Sequence, residues 1–174
     1  YAYLSNSKDK EMLNYNFLKN YFIYKEKVYY HRDIDAVNDI LKLCHYVGNE
    51  THKMKGFLRF KLTKNNFYYA EMEPTNNIIE ILSRHFKKRL KYEYWIIKDK
   101  RRKIYALYDK NKVYYLNEEN IKELNLNLDS EELFIEDLWR NFFESIAIKE
   151  RKNLKCQRNF MPKKYWKNMI EMDD

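Results

Sequence analysis

Glycine occurs only twice in this chain of 174 residues, as Gly48 and Gly56. A phosphate-cradling loop of the P-loop or dinucleotide-binding kind needs several glycines close together, so nucleotide cofactors held that way are excluded. Cysteine is equally scarce, with Cys44 and Cys156 far apart. Two such cysteines make no disulfide scaffold, and a reducing cytoplasm is the expected compartment. They also cannot supply four thiolates for a structural zinc or an iron–sulfur cluster. No apolar run approaches the roughly 18 residues a membrane span needs, and no membrane partner is expected. No secretory signal is visible, but the chain opens at Tyr1 without a methionine, so an N-terminal segment is expected to be missing. His-Glu-x-x-His, Cys-x-x-Cys and Gly-x-Ser-x-Gly patterns are absent, and neither a metal nor a cofactor is expected.

What the chain does have is charge and aromatic surface. Charged residues make up 34% and hydrophobic residues 45%, a balance that suits one globular domain over residues 1–174. The net charge of +8 points to a polyanionic partner, nucleic acid first. An AT-rich genome also favours Lys, Asn, Tyr and Ile through its codons, so global charge alone is a modest argument.

The periodicity predicts an α+β fold: helices at both ends and an antiparallel sheet of about five strands. A first helix is expected over 8–30, with Met12, Leu13, Phe17, Leu18, Tyr21, Phe22 and Val28 as its core stripe. A second begins at an Asp33 N-cap and ends at Gly56, where glycine suits a left-handed turn. Its stripe includes Val37, Ile40, Cys44 and Val47; Cys44 reads as a core thiol, and Gly48 as a site of close packing or a bend. Residues 57–63 and 67–73 read as a hairpin through Lys64-Asn65-Asn66, closed by Pro74. A helix over about 77–90 precedes a three-stranded meander, Tyr94–Lys98, Lys103–Tyr108 and Lys112–Leu116. Residues 117–129 read as a linker or short helix. Asp129 and Glu132 have capping-box spacing ahead of a helix to about 148, whose wide arc (Leu133, Phe134, Leu138, Trp139, Phe142, Phe143, Ile146) predicts the most buried helix. A basic tail follows, with a short helix after Pro162.

Two stretches concentrate cations. Arg84–Lys103 holds ten basic residues against two acids, and Lys149–Lys167 holds eight against one. In the second, Phe160, Tyr165 and Trp166 are interleaved with the cations, a mixture that suits phosphates and unstacked bases; two solvated basic faces are the bland alternative. Near the second helix's end, Lys53, Lys55 and Arg59 crowd around His52. Glu71 and Glu73 share a strand face; they are expected to pair with Arg59 or Lys61, and as carboxylates they also suit acid–base work.

Seven ordered motifs then resemble a known family: HKMKGFLRF (52–60), YAEMEPTNNI (69–78), RHFKKRL (84–90), WIIKDKRR (95–102), ALYD (106–109), LWRNFFESIAIKERKN (138–153) and QRNFMPKKYW (157–166). The chain resembles a bacterial family of unknown function labelled "probable DNA metabolism protein". The resemblance covers nearly the whole chain. It implies linkage to a radical-SAM protein of DNA modification or repair, and kinship with domains fused to uracil-DNA-glycosylase-like domains. It carries no catalytic residues over. Family members are usually longer at the N-terminus, and Gly48 stands where relatives have a small polar residue.

Three functions follow as expectations. The first is a DNA-binding accessory protein beside a radical-SAM partner that carries the cluster. Phosphates would be met by Lys53, Lys55, Arg59, Arg101, Arg102, Arg151, Lys155, Arg158, Lys163 and Lys164, with Tyr165 and Trp166 stacking on bases. The second is an enzyme acting on a nucleobase or glycosidic bond, with His52 and His85 as acid–base groups and Glu73 orienting water. Asn76 or Asn77 and Gln157 would read base edges. The third is an interaction scaffold for the radical-SAM partner, using the C-terminal aromatics.

Overall fold

A computed structural model describes residues 1–120 and 127–172. Two compact units emerge, Tyr1–Met54 with Pro74–Ile78, and Lys55–Glu73 with Ile79–Asp174.

In the first unit the expected opening helix is divided. α1 spans Lys10–Tyr24 and gives way at Lys25, whose φ is 53°, to a 3-10 turn over Lys25–Tyr30. α1 buries none of its side chains, and Met12, Tyr15, Leu18 and Phe22 are exposed. The stripe is therefore not core: Phe17 and Tyr21 are only half-buried, and of its expected residues Val28, in the 3-10 turn, is the one that enters the core. α2 runs Asp35–Phe57 and buries Val37, Ile40, Val47 and Met54 at helical spacing. Its first bonds go to the Ile34 carbonyl, while Asp33 lies 3.9 Å from His31 Nδ1. Cys44 is half-buried rather than a core thiol. A side chain at Gly48 would meet nothing within 4 Å, so close packing is not its role.

The helix does not stop at Gly56. Neither glycine has a positive φ, and α2 continues to Phe57. The Arg59 guanidinium donates to the Gly56 carbonyl, meeting one acceptor that the helix end leaves open. The helix takes only Phe57 from the expected 57–63 strand; residues 58–60 follow without regular structure, and the strand itself is reduced to Lys61–Leu62.

The second unit is built on a five-stranded sheet in the order β1 (Lys61–Leu62), β2 (Tyr68–Met72), β3 (Trp95–Asp99), β4 (Ile104–Tyr108), β5 (Val113–Asn117). The class is α+β. The β1–β2 hairpin turns through Asn66 at φ 59°, and β3–β4–β5 form the antiparallel meander. One pair differs from the all-antiparallel expectation: β2 and β3 are parallel, because α3 (Ile79–Arg89) lies between them in the chain and gives the length a parallel return needs.

Strand alternation sorts the faces. Trp95, Ile97, Ala106 and Tyr108 share the face covered by α3. There Phe60 meets Phe86 at 4.9 Å and Trp95 at 6.4 Å, and Trp95 stacks on Tyr108 at 5.1 Å. Tyr69, Ile96 and Tyr105 cluster on the other face with Phe67 and Leu107.

α4 (Ser130–Ile146) begins with Asp129 accepting the Glu131 N–H at 2.9 Å. The capping box does not close, because Glu132 Oε2 accepts the Leu62 N–H at 2.9 Å instead. With Asp129 N–H on the Leu62 carbonyl, a bridge between Thr63 and Leu128, and Lys61 on Glu136 at 2.7 Å, this segment covers the open edge of β1. The expectation of a deeply buried α4 fails. Phe134, Leu138, Trp139, Phe142 and Ile146 are exposed, and among the helix's described side chains the buried one is Glu136. The Leu133 and Phe143 side chains, and residues 121–126 of the expected linker, lie outside the described residues. α5 (Leu154–Phe160) is capped by Asn153, and a 3-10 turn over Lys163–Asn168 follows Pro162.

Candidate nucleic-acid interface

The cations of the sheet lie at its two ends, and the ends differ. At the β3–β4 turn the cations other than Arg101 are matched by carboxylates. Lys100 pairs with Glu71, which also accepts the Tyr69 hydroxyl at 2.8 Å. Arg102 holds the buried Asp99 at 2.9 Å, and Asp99 accepts two backbone N–H groups of the turn as well. Lys98 sits 2.8 Å from Glu118, with Lys103 at 3.8 Å. Lys167, from the C-terminal segment, closes on Glu73. The expected pairing of Glu71 and Glu73 with Arg59 or Lys61 is thus replaced: the turn after the parallel neighbour β3 brings Lys100 to Glu71, and the C-terminal segment brings Lys167 to Glu73.

The titration directions agree with these pairings. Burial opposes the charge of Glu71, but Lys100 and Tyr69 outweigh it and hold the carboxyl below its ordinary value. Lys167 does the same for Glu73, with Arg101 adding a smaller attraction. Glu118 and the Tyr105 hydroxyl push Lys98 up to about 12, while burial and the Glu71 carboxylate push the Tyr69 phenol up. A cleft of about 350 Å³ opens here, lined by Arg59, Lys61, Tyr69, Glu71, Lys100 and Lys167. Among the described residues its lining has four cations to one acid, but Lys61, Lys100 and Lys167 are already paired with Glu136, Glu71 and Glu73, which weakens the field it offers a polyanion.

The other end gathers the C-terminus of α3, the 90–94 loop and the β4–β5 turn. Contacts fix these three together: Lys87 Nζ donates to the Asn111 carbonyl at 2.7 Å, Tyr108 Oη to the Lys91 carbonyl at 3.2 Å, and Lys110 Nζ lies 4.3 Å from the Tyr94 ring centre. Lys88, Arg89, Lys91, Lys110 and Lys112 are all exposed here. The acids of the same segments are Glu93 and Asp109, and Asp109 accepts the Asn111 N–H, the Lys112 N–H and the Tyr114 hydroxyl. No ion pair is formed by those five cations among the described residues. Tyr92, Tyr94 and Tyr114 stand among them, with Tyr92 75% exposed.

A family model for a domain of unknown function, DUF4130, matches residues 8–171. The chain belongs to the DUF4130 family. No curated protein and no solved structure matches it.

Within this DUF4130 chain the predicted contact residues fare unevenly. Arg101 is exposed, while Arg102 is committed to Asp99 and Arg59 to the helix end. Lys53 and Lys55 are half-buried on α2. Arg151, Lys155, Arg158 and Lys163 are exposed, and Lys163 and Lys164 lie over the Trp166 and Tyr165 rings at 5.6 and 4.6 Å. Tyr165, however, is 4% exposed and packs on Phe57 at 5.6 Å; it is a core residue and presents no face to a base. Trp166 is half-buried, its indole N–H spent on the Met161 carbonyl at 2.8 Å. Gln157 is half-buried, with its amide toward the Met172 sulfur. Asn76 is fully buried in the first unit and bonded there, so it reads no base edge.

The candidate acid–base groups have other neighbours. His52 is exposed on α2. His85 is held below its ordinary pKa by burial first, then by repulsion from Lys55 and Arg89. A carboxylate partner would shift it the other way. Glu73 is occupied by Lys167. Among the described residues no group of three or more His, Cys, Asp or Glu is placed to hold a metal ion. Sequence reasoning noted the cations of 84–103 as one run. It missed that the meander splits them between two ends and adds Lys110 and Lys112 to one of them. The signal was the hairpin itself, which returns residue 109 beside residue 94.

Proposed function

We propose that this DUF4130 chain is a DNA-binding accessory protein in base modification or repair, working beside a radical-SAM protein that supplies the cluster. One observation carries the reading: the sheet end that presents Lys88, Arg89, Lys91, Lys110 and Lys112 without ion pairs among the described residues, next to exposed tyrosines. Cations already paired with carboxylates gain little by meeting a phosphate, whereas unpaired ones release counterions from DNA and gain affinity. The radical-SAM association rests on the family resemblance, and on two cysteines being too few for this chain to hold its own cluster.

The test is DNA binding measured by fluorescence anisotropy across a salt series. Log K should fall linearly with log salt, by about 0.7–0.9 per phosphate contact. Undetectable binding at 20–50 mM salt (roughly the range where such electrostatic binding is strongest) would overturn the proposal.

A further inference from the structure

The geometry points to a single strand of DNA as what this end of the sheet takes, stacked on Tyr92 and Tyr94 with Lys91 and Lys110 beside its phosphates; this rests on the DNA-binding reading above. Tyr92 is 75% exposed and Tyr94 49% exposed, both on the loop between α3 and β3. A large aromatic side chain left this open offers a flat apolar face to whatever docks. Each ring carries its own cation, Lys91 Nζ at 5.3 Å from the Tyr92 centre and Lys110 Nζ at 4.3 Å from the Tyr94 centre. A nucleotide presents the matching pair: an aromatic base, with an anionic phosphate a short reach away.

Duplex DNA fits this arrangement less well. Its bases are stacked on one another and show only their edges in the grooves, so tyrosine faces would go unused. The helix that ends here also ends with its carbonyls. α3 terminates at Arg89, and the negative end of its dipole faces the site. Helices that hold nucleic-acid phosphates commonly present their N-termini to them. Here Lys87, Lys88 and Arg89 in the last turn reverse the sign of that end, so that Lys88 and Arg89 join the lysines of the two loops in meeting a flexible backbone. Tyr114 pairs with Leu107 on the sheet face that also holds Ile96, and at 49% exposure it adds a third open ring at this end.

The experiment compares the full chain binding a fluorescein-labelled oligo-dT with binding a blunt duplex of equal length, at one low salt concentration. Single-strand binding should be the tighter. Tyr92→Ala and Tyr94→Ala should each weaken it by roughly tenfold, as loss of one stacked base does, while Tyr92→Phe and Tyr94→Phe retain it. Duplex affinity should be little changed by any of them. Thermal midpoints of the four variants should match the wild type, since both rings lie in an exposed loop. Equal or tighter duplex binding, or Ala variants that bind oligo-dT as the wild type does, would overturn the inference and leave a salt-dependent DNA interface standing. Absence of binding to both probes would remove the interface itself.

Discussion

Glu50 and Asn76 form a buried pair in the first unit, with the Asn76 side-chain N–H donating to Glu50 Oε2 at 2.7 Å. The same carboxylate accepts the backbone N–H groups of Thr75 and Asn76 at 2.9 and 2.7 Å. Asn76 Oδ1 in turn accepts the Asn6 N–H at 3.1 Å. One acidic side chain on α2 thus satisfies a loop that has no secondary structure of its own. Glu50→Ala leaves three donors in the interior, and should cost about 3–5 kcal/mol, near the upper range for point changes. Asn76→Ala should cost less, and the double variant much less than the sum, because both changes break one network. Urea denaturation of the three variants measures this; additive effects would mean the pair is not coupled.

The two ends of the sheet should respond differently to loss of a cation. Lys88→Gln, Arg89→Gln and Lys110→Gln each remove an unpaired charge, so each should lower the salt slope of single-strand binding by about 0.7 with stability almost unchanged. Arg102→Ala instead exposes the buried Asp99 to loss of its partner, and should lower stability by about 1–3 kcal/mol with the salt slope intact. If Arg102→Ala shifts the slope and Lys88→Gln does not, the assignment of the ends is reversed.

The sequence made some of this legible and hid the rest for identifiable reasons. The hairpin at Asn65-Asn66, the meander and the amphipathic α2 were readable because turn residues and periodicity act locally. The end of α2 was legible to within one residue, but not the way it stops, since Gly56 is compatible with both a left-handed stop and a helical residue, and the Arg59 contact that satisfies its carbonyl comes from the fold. The parallel β2–β3 pair was hidden because short turns fix direction only within a hairpin, whereas the helix between these two strands is long enough for either direction. For the interface, the cationic composition was visible, but which cations were already paired depended on β3 lying beside β2. Tyr165 shows the same limit: its basic neighbours suggested a stacking surface, whereas Phe57 takes its ring.

α4 offers a direct check on how much its apolar arc contributes. Leu138, Trp139 and Phe142 are each about half-exposed, although their spacing reads as a core stripe. Core leucines and aromatics cost about 2–5 kcal/mol on truncation, while exposed ones usually stay within about 0.5 kcal/mol. Leu138→Gln and Phe142→Gln in the isolated chain should therefore fall near the lower figure. Glu136→Ala should exceed both, because it strands Lys61 beside the covered edge of β1. Chemical denaturation gives the comparison, and a large loss at Leu138 would mean that α4 packs on its apolar side in solution.

Acid should destabilise the second unit in two stages. The first belongs to His85, whose folded pKa lies below the ordinary 6.5 because burial and then Lys55 and Arg89 disfavour the imidazolium. As pH drops below 6.5 the unfolded chain takes up the proton before the folded one does, so stability declines through the interval down to the folded pKa. The second belongs to Glu71, Glu73 and Glu118, each held below the ordinary 4.5 with a lysine partner. Their contribution is fully present above 4.5 and is lost as pH falls through the folded values. His85→Asn removes the group responsible for the first stage and leaves the second, whereas Lys98→Met, which strips Glu118 of its closest cation, should flatten part of the second and leave the first. Urea midpoints taken from pH 8 to roughly pH 3, spanning the ordinary carboxylate and imidazole ranges, separate the two. A first stage that survives His85→Asn would assign it to another histidine, and with it the repulsion argued for Lys55 and Arg89.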